Sequence, residues 1–71
     1  MSMAKTVKIL LLERDMKMID LANHLGTTSQ NISAKLRRDN LSENELHAIA
    51  KACNATFTGG FVLNDTRKEI K

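Results

Sequence analysis

Residues 21–38, LANHLGTTSQNISAKLRR, carry the side chains best suited to chemistry in this chain, and the chemistry is recognition rather than reaction. Thr27, Thr28, Ser29, Gln30, Asn31 and Ser33 supply a run of hydrogen-bonding groups, and Lys35, Arg37 and Arg38 follow with fixed positive charge. No acid falls within these eighteen positions, although the chain contains eight. Donors, acceptors and cations without acids suit a surface that meets a polyanion and reads it. The bland alternative is a solvated face on an all-helical domain, which is what polar helix faces usually are.

Reaction chemistry finds little support. The sequence offers no nucleophile–base pair, no carboxylate pair in a plausible pocket and no glycine-rich phosphate loop. His24 and His47 fall on polar faces without a companion at metal-ligand spacing, so surface histidines are expected. Cys53 is the single cysteine; it cannot form an internal disulfide and reads as a small buried hydrophobe in a cytoplasmic protein. Neither an enzyme, a cofactor, a metal nor a small-molecule ligand is expected.

Seventy-one residues, 42% of them hydrophobic, fit one folded domain over residues 1–71, near the lower size limit for an independent core. Phe57 and Phe61 are the only aromatic residues, so that core is aliphatic. The net charge of +3 favours an anionic partner without proving one. The apolar run 9–12 is too short to span a membrane.

Helical spacing of Met3, Val7, Leu10 and Leu11 predicts a first helix from Met3 to Glu13, closed by Arg14-Asp15, with Met16 tucked beneath the next element. Ile9 and Leu12 fall on a second face, so this helix should be covered on two sides or by a partner. A second helix, residues 18–25, follows from Met18, Leu21, Ala22 and Leu25. Gly26 stands where a left-handed residue ends a helix, and Thr27 or Thr28 can cap the next one. That third helix, residues 29–38, has only Ile32 and Leu36 to bury. Ser42 and Glu45 make a capping box for a fourth helix carrying Leu46, Ile49, Ala50 and Cys53, with Asn54 as its left-handed stop.

Two helices crossing over a short turn need a small residue at the crossing, a permissive residue in the turn and an apolar plug on the second helix. Ala22, Gly26 and Ile32 supply these in order. On those residues, IDLANHLGTTSQNISAKL resembles the helix-turn-helix of the phage repressor and Cro family of xenobiotic-response-element-type regulators. The resemblance extends from Met3 to about Asn54. It implies a compact, mainly α, four-helix domain whose third helix enters the major groove of double-stranded DNA. By the same resemblance Thr28, Ser29, Gln30, Ser33 and Arg37 stand where the family contacts bases. Gln30 suits adenine and Arg37 guanine. Thr27, Asn31, Lys35, Arg38 and Asn40 then lie closer to phosphates. Lys17 and Met18 depart from the family's usual hydroxyl cap and glutamine; Lys17 replaces a phosphate contact by a simple charge, and the cap is lost. Lys35 stands where relatives carry an apolar residue, with Leu36 taking over the core role.

Past Asn54 the apolar period shortens to two. Phe57, Phe61 and Leu63 alternate, which predicts a β element at 56–63: one strand, or a hairpin turning at Gly59-Gly60. It either closes over its own core or pairs with a second subunit, and the dimer is favoured because a lone strand cannot satisfy its backbone. Phe57, Phe61 and Leu63 are then interface residues of a homodimer, and residues 66–71 form a frayed charged tail. The expected function is a small transcriptional regulator on a palindromic operator, acting by occupancy. The rival reading is a protein-interaction module of the same fold, such as an antitoxin or adaptor.

Overall fold

α1 (Met3–Glu13), α2 (Met18–Leu25), α3 (Ser29–Arg37) and α4 (Glu43–Ala52) are followed by β1 (Ala55–Phe57), β2 (Phe61–Leu63) and β3 (Glu69–Ile70). This is a computed structural model that describes residues 3–70; residues 1, 2 and 71 of the expected domain lie outside it. Each helix ends where its sequence provides a stop. Asp15, Asp39 and Asn54 all adopt positive φ after α1, α3 and α4, and Gly26 does so after α2. At α4 the Ser42 hydroxyl accepts the Glu45 amide at 3.2 Å while the Glu45 carboxylate accepts the Ser42 amide at 3.1 Å. Both partners of the capping box are therefore engaged.

The core is aliphatic apart from Phe61. Val7, Leu10 and Leu11 of α1 meet Leu21 and Ala22 of α2, Ile32 and Leu36 of α3, and Leu46, Ile49 and Ala50 of α4. Cys53 is buried with them, and desolvation pushes its thiol pKa up, so it packs as a hydrophobe. The second apolar face of α1 is not covered by the described residues: Leu12 is 80% exposed and Ile9 also reaches solvent.

Of the two expected β arrangements the hairpin is the one formed, and a third strand extends it. β1 and β2 form an antiparallel hairpin with Phe57 opposite Phe61, turning through Thr58, Gly59 and Gly60. Gly59 takes φ 84°, a conformation that favours glycine. β3 then adds to the other side of β2, pairing Ile70 with Phe61 and Glu69 with Val62. The resulting sheet has the order β1-β2-β3. Residues 66–70 are thus not a frayed tail. Ile70 is 3% exposed in the core, and Lys68 donates to the Glu13 carboxylate at 2.5 Å. The expected interface residues Phe61 and Leu63 are likewise buried within their own chain, leaving only Phe57 partly exposed. Two extra strands satisfy the backbone that a lone strand would have left open.

Arg14 ties these layers together. Its Nε donates to the Cys53 carbonyl and its Nη2 to the Asn54 carbonyl, each at 2.8 Å. Nη1 and Nη2 also clasp the two Asp65 carboxylate oxygens at 3.0 and 2.7 Å. One planar guanidinium so joins the end of α1, the end of α4 and the turn after β2, a task its fork of donors suits. The hydrogen bond from Arg14 lowers the Asp65 pKa from 3.8 to about 2. Because the folded value lies below the ordinary one, this contribution to stability is complete above pH 3.8 and disappears as pH falls towards about 2. Wild type should therefore lose melting temperature across that window. Asp65→Asn should start lower and fall less, and thermal melts at stepped pH check this. Identical acid slopes for the two chains would contradict the assignment.

Candidate nucleic-acid interface

The turn between α2 and α3 decides how α3 is presented. Gly26 takes φ 69°, and a Cβ built on it would meet no atom within 4 Å. The requirement for glycine is therefore conformational, not spatial. The Thr27 amide returns to the Ala22 carbonyl at 3.0 Å, closing the end of α2. Ala22 is fully buried beneath the turn, and Ile32 plugs α3 into the same core. The Thr28 hydroxyl accepts the Asn31 amide at 3.1 Å and caps α3, while Asn31 Nδ2 donates to the Thr27 hydroxyl at 2.8 Å. At the start of α2, Lys17 offers no side-chain acceptor, yet its own amide donates to the Asp20 carboxylate at 2.9 Å. Half of a capping box survives where the sequence suggested that the cap was lost.

With Ile32 and Leu36 turned inwards, the 100° step of an α-helix divides the rest of α3 into a stripe and two flanks. Gln30, Ser33 and Arg37 are exposed and share one side, with half-buried Ser29 at its edge. Thr28 is exposed just ahead of them, its hydroxyl oxygen already accepting the cap bond. Four of the five residues expected to meet bases thus share one side of α3, and Thr28 stands at its N-terminal end. Asn31 and Arg38 lie on the flank away from α1. Asn40 is exposed beyond the helix, with its amide donating to the Lys35 carbonyl at 2.9 Å. Lys17 is exposed at the start of α2.

Lys35 is engaged within the chain. Its ammonium forms an ion pair with Glu45 of α4, and that hydrogen bond lowers the Glu45 pKa. Lys35 and Asn31 line a groove with Leu41, Glu45 and Ile49, between α3 and α4. Lys35 is thereby a strut that joins α3 to the capped start of α4, and its charge is already balanced. The pair is only half-screened from water, so its value is in orientation more than in stability.

A residue that the sequence did not single out joins the site. Lys8 of α1 lines a cleft with Ser33 and Arg37 of α3, floored by Ala4, Met18 and Leu36. Lys8, Lys17, Arg37 and Arg38 form no ion pair among the described residues. The sequence signal for Lys8 was present but silent: its relation to Ser33 and Arg37 exists only once α1 packs across α3.

In comparisons with protein families, curated proteins and solved structures, nothing matches this chain. No helix among the described residues is long and apolar enough to cross a membrane.

Proposed function

We propose that this protein binds double-stranded DNA sequence-specifically as a small transcriptional regulator. The observation that carries the reading is the stripe of Gln30, Ser33 and Arg37. It is exposed, has no acidic partner among the described residues, and is held on a short helix that buries little else. The left-handed Gly26 turn and the buried Ala22 support the two-helix geometry that such recognition needs. Gln30 hydrogen-bonds adenine and Arg37 guanine at base edges, while Arg38, Asn31, Asn40 and Lys17 serve the backbone. The reading includes a homodimer on a palindromic operator. β1 and β3, the two edges of the sheet, and partly buried Phe57 are surfaces open to it in the β region.

Binding assays on preferred and scrambled duplexes test the role of the stripe. Gln30→Ala or Arg37→Ala should cost ~1–3 kcal/mol on the preferred site and relax preference at one base position. Arg38→Ala should weaken all duplexes alike. Gln30→Ala with unchanged affinity and preference would remove α3 from the groove.

One observation favours the rival reading of a protein-interaction module. Leu12 is 80% and Ile19 57% exposed, and neither is needed for DNA. Such an apolar contact would persist as salt rises, whereas phosphate contacts weaken.

A further inference from the structure

We infer that Lys8 of α1 is a phosphate clamp, gripping the DNA backbone that flanks the bases met by Ser33 and Arg37. The inference rests on the DNA-binding reading and extends it to a helix outside the two-helix unit. Its ground is the cleft in which Lys8 of α1 and Arg37 of α3 come together with the Ser33 hydroxyl. Neither cation has an ion-pair partner among the described residues. Two like charges facing one cleft repel, and an anion between them reverses that interaction.

The placement selects a phosphate over a base. On the α3 cylinder the Ser33–Arg37 side of the stripe borders α1, while Asn31 and Arg38 lie on the opposite flank. A helix seated in a groove has one backbone strand along each flank. Arg38 and Asn31 serve one strand, and Lys8 stands on the side of the other. An ammonium on a flexible stem acts as a point charge, suited to a phosphate and indifferent to base identity.

Salt titration of binding to a short mixed-sequence duplex tests the clamp, with Lys8→Gln, Lys8→Arg and Lys51→Gln beside wild type. Lys51 is an exposed lysine of α4 that borders His24 and Ala48 instead of this cleft, so it controls for net charge. The slope of log K against log salt should become shallower by about 0.9 in Lys8→Gln, one released counterion. Lys8→Arg should keep the wild-type slope, and so should Lys51→Gln. A wild-type slope in Lys8→Gln, or an equal change in Lys51→Gln, overturns the clamp while leaving DNA binding intact. A wild-type chain whose duplex binding is absent or indifferent to salt overturns the DNA-binding reading, and the clamp with it.

Discussion

Phe61→Ala should bring the domain to the edge of unfolding. Phe61 occupies the central strand, is 1% exposed, and stands opposite both Phe57 and Ile70. Its ring lies 5.4 Å from that of Phe57, which in turn meets His47 edge-on at the same centroid distance. Removing a buried phenyl ring costs ~3–5 kcal/mol, because the site cannot fully collapse around the void. A chain this small has a total stability near the low end of ~5–15 kcal/mol, so most of the margin disappears. Phe57→Ala, at a half-exposed position, should cost less. Thermal melts at several protein concentrations separate two accounts of Phe61. A ring buried in its own subunit gives a loss independent of concentration, whereas a ring at a subunit interface gives one that varies with it. A Phe61→Ala melt close to wild type would contradict the sheet packing altogether.

Ile70→Ala should cost ~2–5 kcal/mol, the usual range for truncating a buried isoleucine. The effect would be notable for a residue so near the end of the sequence. Ile70 pairs with Phe61 across β2–β3 and joins the core beside α1. Deleting residues 64–71 should be worse still. It removes β3, the Asp65 carboxylate held by Arg14, and the Lys68–Glu13 pair. Chemical denaturation reads both variants. If Ile70→Ala unfolded at the wild-type midpoint, residues 66–70 would be the loose tail that their charge pattern suggested.

In that tail the local signals of the sequence give out. The helices were legible because their signals are local. Gly26, the Ser42/Glu45 box and Asn54 each act within one turn of the chain, and apolar spacing fixed which faces turn inwards. The hairpin was legible as one of two options, through alternation and paired glycines. β3 was not legible, since two residues inside TRKEIK offer no alternation to detect. The Arg14 hub was hidden for another reason. Two of its acceptors are backbone carbonyls of Cys53 and Asn54, which any residue type would provide. Asp65 lies on a turn that approaches α1 only after the sheet forms. Lys35 and Glu45 are ten residues apart, and their pairing depends on how α4 folds back against α3. Lys8 belongs to the same class. Its link to Ser33 and Arg37 is created by helix packing and leaves no mark on the spacing of the two-helix unit.

The uncovered face of α1 is the opposite case. The sequence demanded a cover for Ile9 and Leu12, and the described residues supply none. Apolar spacing shows which side chains avoid water, but it does not show whether the covering surface belongs to the same molecule.

Selection of bound duplexes from a random-sequence pool is the most direct test of the proposed DNA recognition. It should enrich a two-fold symmetric sequence whose half-sites are centred about one helical turn apart, roughly 10 base pairs. Repeating the selection with Gln30→Ala should lose preference at one position in each half-site. A bound fraction with the same composition as the starting pool would contradict sequence-specific recognition by α3.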